Sequence, residues 1–209
     1  MNILIIDDHD VARAGLKLVL SEADIPFEFG EAATASEAMQ LLHDKTWDVV
    51  ILDISLPDLN GIELLKRIKT HWKKLPVLIM SGHSEDEYAV RAIRSGAAGY
   101  LVKTNAMDKM LSAIRKVTSG GRYIDAELAE KLAISLDEVC EGPAHKGLSD
   151  REYEVMCLIA SGMTLTEISK KVSLSVKTIS TYRARIMAKM EMRNNAQLTH
   201  YAIKHSLVD

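Results

Sequence analysis

Ile3-Leu4-Ile5-Ile6-Asp7-Asp8 opens the chain with four consecutive apolar residues followed by two acids. A run this short cannot be a helix of its own. Its lack of alternation predicts a strand buried on both faces, as in a parallel sheet. Similar runs recur at Val49-Val50-Ile51-Leu52, Val77-Leu78-Ile79-Met80 and Tyr100-Leu101-Val102, with a weaker one at residues 27–32. Between them, apolar residues take helical spacing over 11–21, 36–45, 62–71, 85–95 and 107–118, several of these segments opening on Ser or Asp. The order is (βα)5. Right-handed crossovers then give a doubly wound, five-stranded parallel sheet in an α/β domain, with its site at the carboxyl ends of the strands.

After Gly120-Gly121 the strand signal stops. Residues 125–136 read as one acidic connecting helix, followed by the loop Glu141-Gly142-Pro143, and 122–147 is expected to be a partly helical linker. Residues 150–160, 165–171, 176–190 and 196–205 read as helices, punctuated by Gly162 and by the turn Ser173-Leu174-Ser175. The expected division is therefore 1–121, an α/β domain; 122–147, a linker; and 148–209, an all-α four-helix domain.

Composition narrows the function classes. With 209 residues, 47% hydrophobic and 26% charged, the chain is of ordinary globular make-up, which excludes disorder and fibrous repeats. No apolar run approaches the roughly 18 residues that span a bilayer, and the first strand runs directly into acids, so neither a signal peptide nor a membrane segment is expected. Two cysteines, Cys140 and Cys157, are too few for a disulfide framework, and a reducing cytoplasm is the expected location. The net charge of −3 hides an asymmetry: residues 1–121 hold 14 Lys/Arg against 17 Asp/Glu, whereas 148–209 hold 9 against 6. Acidic front and basic back imply different partners.

The acids of the first half fall where strands end. Asp7 and Asp8 follow the first strand and Asp53 the third, so the topology brings three carboxylates to one rim. Like charges so close need a cation, and an all-oxygen environment without Cys or His favours Mg²⁺. Ser81 ends the fourth strand with a hydroxyl and Lys103 follows the fifth with an ammonium. Any one of these groups could be a strand-end cap or a surface ion pair; five at four matching strand ends point to a site.

Those residues, with Asp53-Ile54-Ser55-Leu56-Pro57-Asp58-Leu59-Asn60-Gly61, Ser81-Gly82 and Gly96-Ala97-Ala98-Gly99-Tyr100-Leu101-Val102-Lys103, resemble the receiver domain of bacterial two-component response regulators over essentially all of residues 1–121. The resemblance implies that Asp53 takes a phosphoryl group from a sensor histidine kinase. It implies that Asp8, Asp53 and the main-chain carbonyl of Ser55 hold Mg²⁺, that Asp7 acts mostly through a bound water, and that Lys103 pairs with phosphoryl oxygens. A phosphoryl group adds about −1.5 to −2 charge and three acceptor oxygens, enough to draw the Ser81 hydroxyl toward Asp53 and let Tyr100 fill the vacated volume. The chain departs from many receivers in having Thr104, where they place Pro after the lysine.

The helical tail carries Leu148-Ser149-Asp150-Arg151-Glu152, Glu167-Ile168-Ser169-Lys170-Lys171 and Ser175-Val176-Lys177-Thr178-Ile179-Ser180. It resembles the LuxR-type helix-turn-helix, and with the receiver in front, the NarL/FixJ class. Tyr182-Arg183-Ala184-Arg185 and Leu198-Thr199-His200-Tyr201-Ala202-Ile203 are similar to its GacA/UvrY branch. Apart from any family, 165–171, a short turn and 176–190 make a helix-turn-helix whose second helix carries the basic cluster. Val176, Ile179, Ile186 and Met190 are expected on its inward stripe. Lys177, Ser180, Thr181, Ala184 and Arg185 are expected on the groove face, with Ser180 and Thr181 near base edges of double-stranded DNA and Lys177, Thr178, Arg183 and Lys189 on phosphates. A homodimer, at least when phosphorylated, would pair two modules through residues 196–205. The residues assign no function to His200, His205 or the ten methionines.

Two rivals stand beside a phosphorylation-controlled transcription regulator. A phosphohydrolase with an aspartyl nucleophile would want an acid two residues after Asp53, where this chain has Ser55. A signalling adaptor would bind protein through the tail, against which the basic run from Lys177 to Arg193 argues.

Overall fold

The apolar runs form strands β1 (Asn2–Ile6), β2 (Glu28–Ala32), β3 (Val49–Asp53), β4 (Val77–Ser81) and β5 (Gly99–Val102). All pairings are parallel, in the order β2-β1-β3-β4-β5. The computed structural model describes residues 1–23, 26–82, 86–124, 128–130 and 143–208, with the side chains of 86 and 104–108 set aside. Helices α1 (Asp10–Ser21), α2 (Ala35–Asp44), α3 (Gly61–His71), α4 (Asp86–Arg94) and α5 (Lys103–Thr118) alternate with the strands, as the (βα)5 reading expects.

Burial explains the unbroken runs. Ile3, Ile5, Val49, Ile51 and Leu78 lie fully buried in one cluster with Leu16 and Leu20 of α1 and Met110, Ala113 and Ile114 of α5. Their neighbours Leu4, Ile6, Val50 and Leu52, equally buried, point to the opposite face. Each such side chain contributes about 1.5–3 kcal/mol on leaving water, which rewards a helix layer on both faces. The weak run makes β2, the edge strand, with only Ala32 fully buried.

α5 begins at Lys103, four residues ahead of the expected 107. Val102 caps it with extended backbone and no side-chain bond, so β5 passes into α5 without a loop. Apolar periodicity first appears at Met107, which is why the spacing alone starts the helix late. Among the described residues no peptide bond is cis. Of the connecting helix expected over 125–136, residues 128–130 are helical and the rest lies outside the described residues, as does Cys140. Cys157 is buried.

The chain divides into two compact units, residues 1–131 and 132–209. In the second, a 3-10 turn (Ala144–Gly147) precedes α6 (Asp150–Ala160), α7 (Leu165–Lys171), α8 (Val176–Lys189) and α9 (Asn195–Lys204). Capping boxes fix the first two: Ser149 with Glu152 starts α6 and Thr164 with Glu167 starts α7. Tyr153, Met156, Ile168, Ile179, Ile186, Leu198 and Ala202 form the core.

Candidate functional site

Register places the acids side by side. Ile6 pairs with Leu52 across β1 and β3, so Asp7 and Asp53, each one residue further, meet where the strand order reverses. This is the switch point at which open parallel sheets bind ligands. Asp53 pairs with Met80, and Ser81 with Val102, which carries the rim across to Lys103. Ser81 and Tyr100 are both buried.

The loop after β3 is held from both ends. Asn60, fully buried, accepts a hydrogen bond from the Ile62 backbone N–H at 2.9 Å and caps α3. Gly61 donates to the Ile54 carbonyl at 2.7 Å. A Cβ at Gly61 would stand 2.3 Å from the Asp53 carbonyl oxygen and 2.6 Å from the Ile54 Cα. Only glycine permits α3 to approach the end of β3 so closely. Asp58 reaches the start of α2, accepting from the backbone N–H of Ala35 at 2.8 Å and of Ser36 at 3.0 Å. Burial alone would raise its pKa, but these two N–H donors and the Ser36 hydroxyl hold it below the usual aspartate value.

Lys103 Nζ donates to Asp7 Oδ2 at 2.7 Å and to Asp53 Oδ2 at 2.8 Å. Asp7 is 0% exposed and Asp53 2%. Burial pushes the Asp53 carboxyl above its ordinary value; Lys103 opposes this, the charge of Asp7 adds to it, and the Ser55 backbone N–H opposes it again. Burial by itself would depress the Lys103 ammonium, yet its bonds to Asp53 and Asp7 hold it above the ordinary lysine range. Three carboxylates and one ammonium leave two negative charges at the rim, the deficit that one divalent cation cancels.

The cluster holds one side chain that the strand-end reading does not include. His9, the residue capping α1, brings Nδ1 to 2.7 Å from Asp8 Oδ1 and 3.2 Å from Asp7 Oδ1. Donor atoms of Asp7, Asp8, His9 and Asp53 all lie within 4.8 Å of one another, so the cluster is consistent with a divalent metal site but is not all oxygen. Reading strand ends alone missed His9, although it directly follows the two acids. The main chain turns there from β1 into α1, and the His9 backbone N–H bonds Asp7 Oδ1 at 2.8 Å, which brings the ring back over both carboxylates.

In the second unit, α7 and α8 are joined by Val172-Ser173-Leu174, with Ser173 at φ 51° and Ser175 capping α8. Arg151 of α6 donates to the Val172 carbonyl at 2.9 Å and pairs with Glu154 at 2.7 Å, which fastens the end of α7. Lys177, Ser180, Thr181, Ala184 and Arg185 are exposed. Ile179, Ile186 and Met190 are buried, but Val176, expected inward, is 44% exposed. As the first residue of the helix it continues the line of the apolar stripe past the point where the core covers it. Thr178 belongs to the cap of α8, its hydroxyl 2.8 Å from that of Ser175. Arg183 Nε donates to Asn195 Oδ1 at 2.7 Å and Lys189 Nζ to Glu152 Oε2 at 2.6 Å. These two cations thus also hold α8 to α9 and α6.

Comparison with known proteins places both units. Residues 3–115 match the response regulator receiver domain and residues 146–202 the bacterial regulatory proteins of the luxR family. The response regulator UvrY of Escherichia coli (strain K12) is 35% identical over 99% of this chain and 95% of its own length. The response regulator GacA of Pseudomonas aeruginosa is 31% identical over 100% of this chain and 98% of its own length. Among solved structures, RcsB of Salmonella typhimurium, studied for conformational dynamism in DNA interaction, superposes with a TM-score of 0.68 at 26% identity, covering 96% of each chain. An RcsB–DNA complex superposes with a TM-score of 0.60 at 26% identity, again over 96% of each chain. These matches decide against the phosphohydrolase: the chemistry of such a chain is the receiver's own phosphorylation. With a receiver and a LuxR-type helix-turn-helix matched in that order, and full-length relatives of the same make-up, the chain belongs to the NarL/LuxR family of two-component response regulators.

Proposed function

We propose that Asp53 is the phosphoacceptor and that its phosphorylation by a sensor histidine kinase governs dimerisation and DNA binding by α8. The observation that carries this reading is the position of Lys103, whose ammonium meets the buried Asp53 and Asp7 together. An Asp53 carboxylate oxygen attacks the phosphorus of a phosphohistidine. The O–P bond forms as the N–P bond breaks, and the imidazole leaves with the electron pair and takes up a proton. Lys103 then pairs with a phosphoryl oxygen in place of the carboxylate. Asp8, Asp53 and the Ser55 carbonyl would hold Mg²⁺, with Asp7 acting through a water; a bound Mg²⁺ would offset charge on the phosphoryl oxygens. Catalysis by such a site is positioning and charge stabilisation.

The Ser81 hydroxyl, drawn to the new phosphoryl group, and Tyr100, moving into the space it leaves, carry the change toward α4 and β5. The DNA contacts proposed are Lys177, Thr178, Arg183 and Lys189 on phosphates and Ser180 and Thr181 near base edges, with Ala184 and Arg185 on the same groove face. The proposed division is receiver 1–121, linker 122–147 and DNA-binding domain 148–209. The protein acts as a homodimer, at least when phosphorylated, in the cytoplasm. Two solved structures of RcsB support this reading: in one it is bound to DNA, and in the other two RcsB dimers are bound to two parallel DNAs.

Incubation with acetyl phosphate and Mg²⁺, followed by mass spectrometry of peptides, tests the assignment. One phosphoryl group is expected on the peptide holding Asp53 and none in Asp53→Asn. An equal label in that variant would overturn it.

A further inference from the structure

We infer that His9 is a ligand of the cation site and gives it a preference for divalent ions that accept nitrogen over Mg²⁺. The inference rests on the proposed metal site and adds to it a donor that the oxygen set does not include. Carboxylate oxygens only accept hydrogen bonds, so an imidazole nitrogen lodged between two of them carries a hydrogen or faces a cation. His9 Nδ1 is lodged in that way, 2.7 Å from Asp8 Oδ1 and 3.2 Å from Asp7 Oδ1. In a coordination sphere with metal–ligand distances of about 2.1 Å, adjacent ligand atoms stand about 3 Å apart. The separation of His9 Nδ1 from Asp8 Oδ1 is in the range of neighbouring ligands on one ion, with Asp7 behind them at the distance of an outer-sphere partner.

Charge placement favours the same side of the cluster. Lys103 already occupies Asp7 Oδ2 and Asp53 Oδ2. Asp8 and the other oxygen of Asp7 face His9 instead, so the uncompensated charge lies beside the imidazole. The ring is 66% exposed and its residue caps α1 without a side-chain bond to the helix. It can shift by a few tenths of an ångström into a coordination sphere at little cost, unlike a packed core side chain.

Mg²⁺ is hard and takes oxygen almost exclusively, whereas Co²⁺, Ni²⁺ and Zn²⁺ gain from imidazole. Exchanging a water for Nδ1 thus strengthens binding of the second group and leaves Mg²⁺ nearly unaffected. The receiver becomes a site at which such ions compete with Mg²⁺ for the acids that surround Asp53.

The test uses the full chain without phosphodonor and two probe ions. Co²⁺ is followed through its visible absorption, and Mg²⁺ by calorimetric titration. In His9→Ala, the Co²⁺ affinity should fall by about tenfold and its absorption should move toward that of an all-oxygen site, with the Mg²⁺ affinity within about twofold of wild type. Asp8→Asn should weaken both ions together. Unchanged Co²⁺ affinity and spectrum in His9→Ala, with Mg²⁺ still bound, would overturn the role of His9 while leaving the metal site standing. Failure of wild type to bind either ion would overturn both.

Discussion

Lys189 Nζ lies 2.6 Å from Glu152 Oε2, tying the last turn of α8, the helix proposed to read DNA, to the capping box that starts α6. The same carboxylate accepts from the Ser149 backbone N–H at 2.8 Å and the Ser149 hydroxyl at 2.9 Å. One acid thus orders both the entry to the helical unit and the angle of its recognition helix. Glu152→Gln keeps the shape but gives up the charge, and should cost about 1–2 kcal/mol of stability in denaturant melts.

The pH dependence of that stability has a definite sign. Burial would raise the Glu152 pKa, but Lys189 and the Ser149 donors outweigh it and hold the group below the usual glutamate value. A carboxylate depressed by folding stabilises above its unfolded pKa, about 4.3, and loses the effect as pH falls through the lower folded value. Melts between pH 7 and pH 3 should show a loss of stability below about pH 4 that is smaller in Glu152→Gln. Parallel curves for the two proteins would show that the pairing contributes nothing.

Gly61→Ala should damage the receiver more than an exposed alanine substitution would. Its Cβ meets the backbone of the Asp53–Ile54 peptide, the Asp53 carbonyl oxygen at 2.3 Å and the Ile54 Cα at 2.6 Å, so the contact cannot be relieved by a rotamer change. Thermal denaturation should report a loss of about 1–3 kcal/mol, and labelling by acetyl phosphate should slow because Asp53 moves with its own carbonyl.

The DNA contacts proposed for α8 are of two kinds. Lys177→Ala should weaken binding to all duplexes alike and lower the salt slope by about one. Thr181→Ala should instead change which base is preferred, by roughly 1–3 kcal/mol if the hydroxyl reads an edge. The Thr181 hydroxyl also bonds the Lys177 carbonyl at 3.0 Å, leaving its lone pairs to accept from a base. Selection from randomised duplexes with wild type and variant decides this; identical preferred sequences would assign specificity to other residues or to DNA shape.

Phosphorylation should shift a monomer–dimer equilibrium, read by sedimentation velocity with and without acetyl phosphate. On α9, Ile203 is 56% exposed, an apolar residue on the helix proposed to pair two DNA-binding modules. Ile203→Glu should lower the dimer fraction and the DNA affinity together while leaving Asp53 labelling intact. A single unchanged species under both conditions would contradict the dimerisation model.

Most of this architecture was legible because burial leaves a compositional mark. The runs at Ile3, Val49, Val77 and Tyr100 are unbroken because helices cover both faces of the sheet, and the strand-end acids and Lys103 meet because parallel strands bring equivalent ends to one edge. α6 runs from Asp150 to Ala160 as read, since Ser149 with Glu152 marks its start in the sequence itself. Features set by tertiary contact escaped the reading. Val176 keeps the helical period, and only the limits of the core leave it in solvent. Lys189 is expected on a DNA phosphate from its place in the basic run, and its partner Glu152 lies 37 residues away in sequence. His9 was hidden differently: its role depends on a backbone turn that folds the ring over the preceding acids.

The most direct measurement is the affinity of the full chain for a selected DNA duplex, taken with and without acetyl phosphate and Mg²⁺, for wild type and for Asp53→Asn. Phosphorylation should tighten wild-type binding by roughly tenfold or more through pairing of two modules on one duplex, and should leave Asp53→Asn unchanged. Equal tightening in both proteins, or none in the labelled wild type, would contradict control of DNA binding by phosphorylation of Asp53.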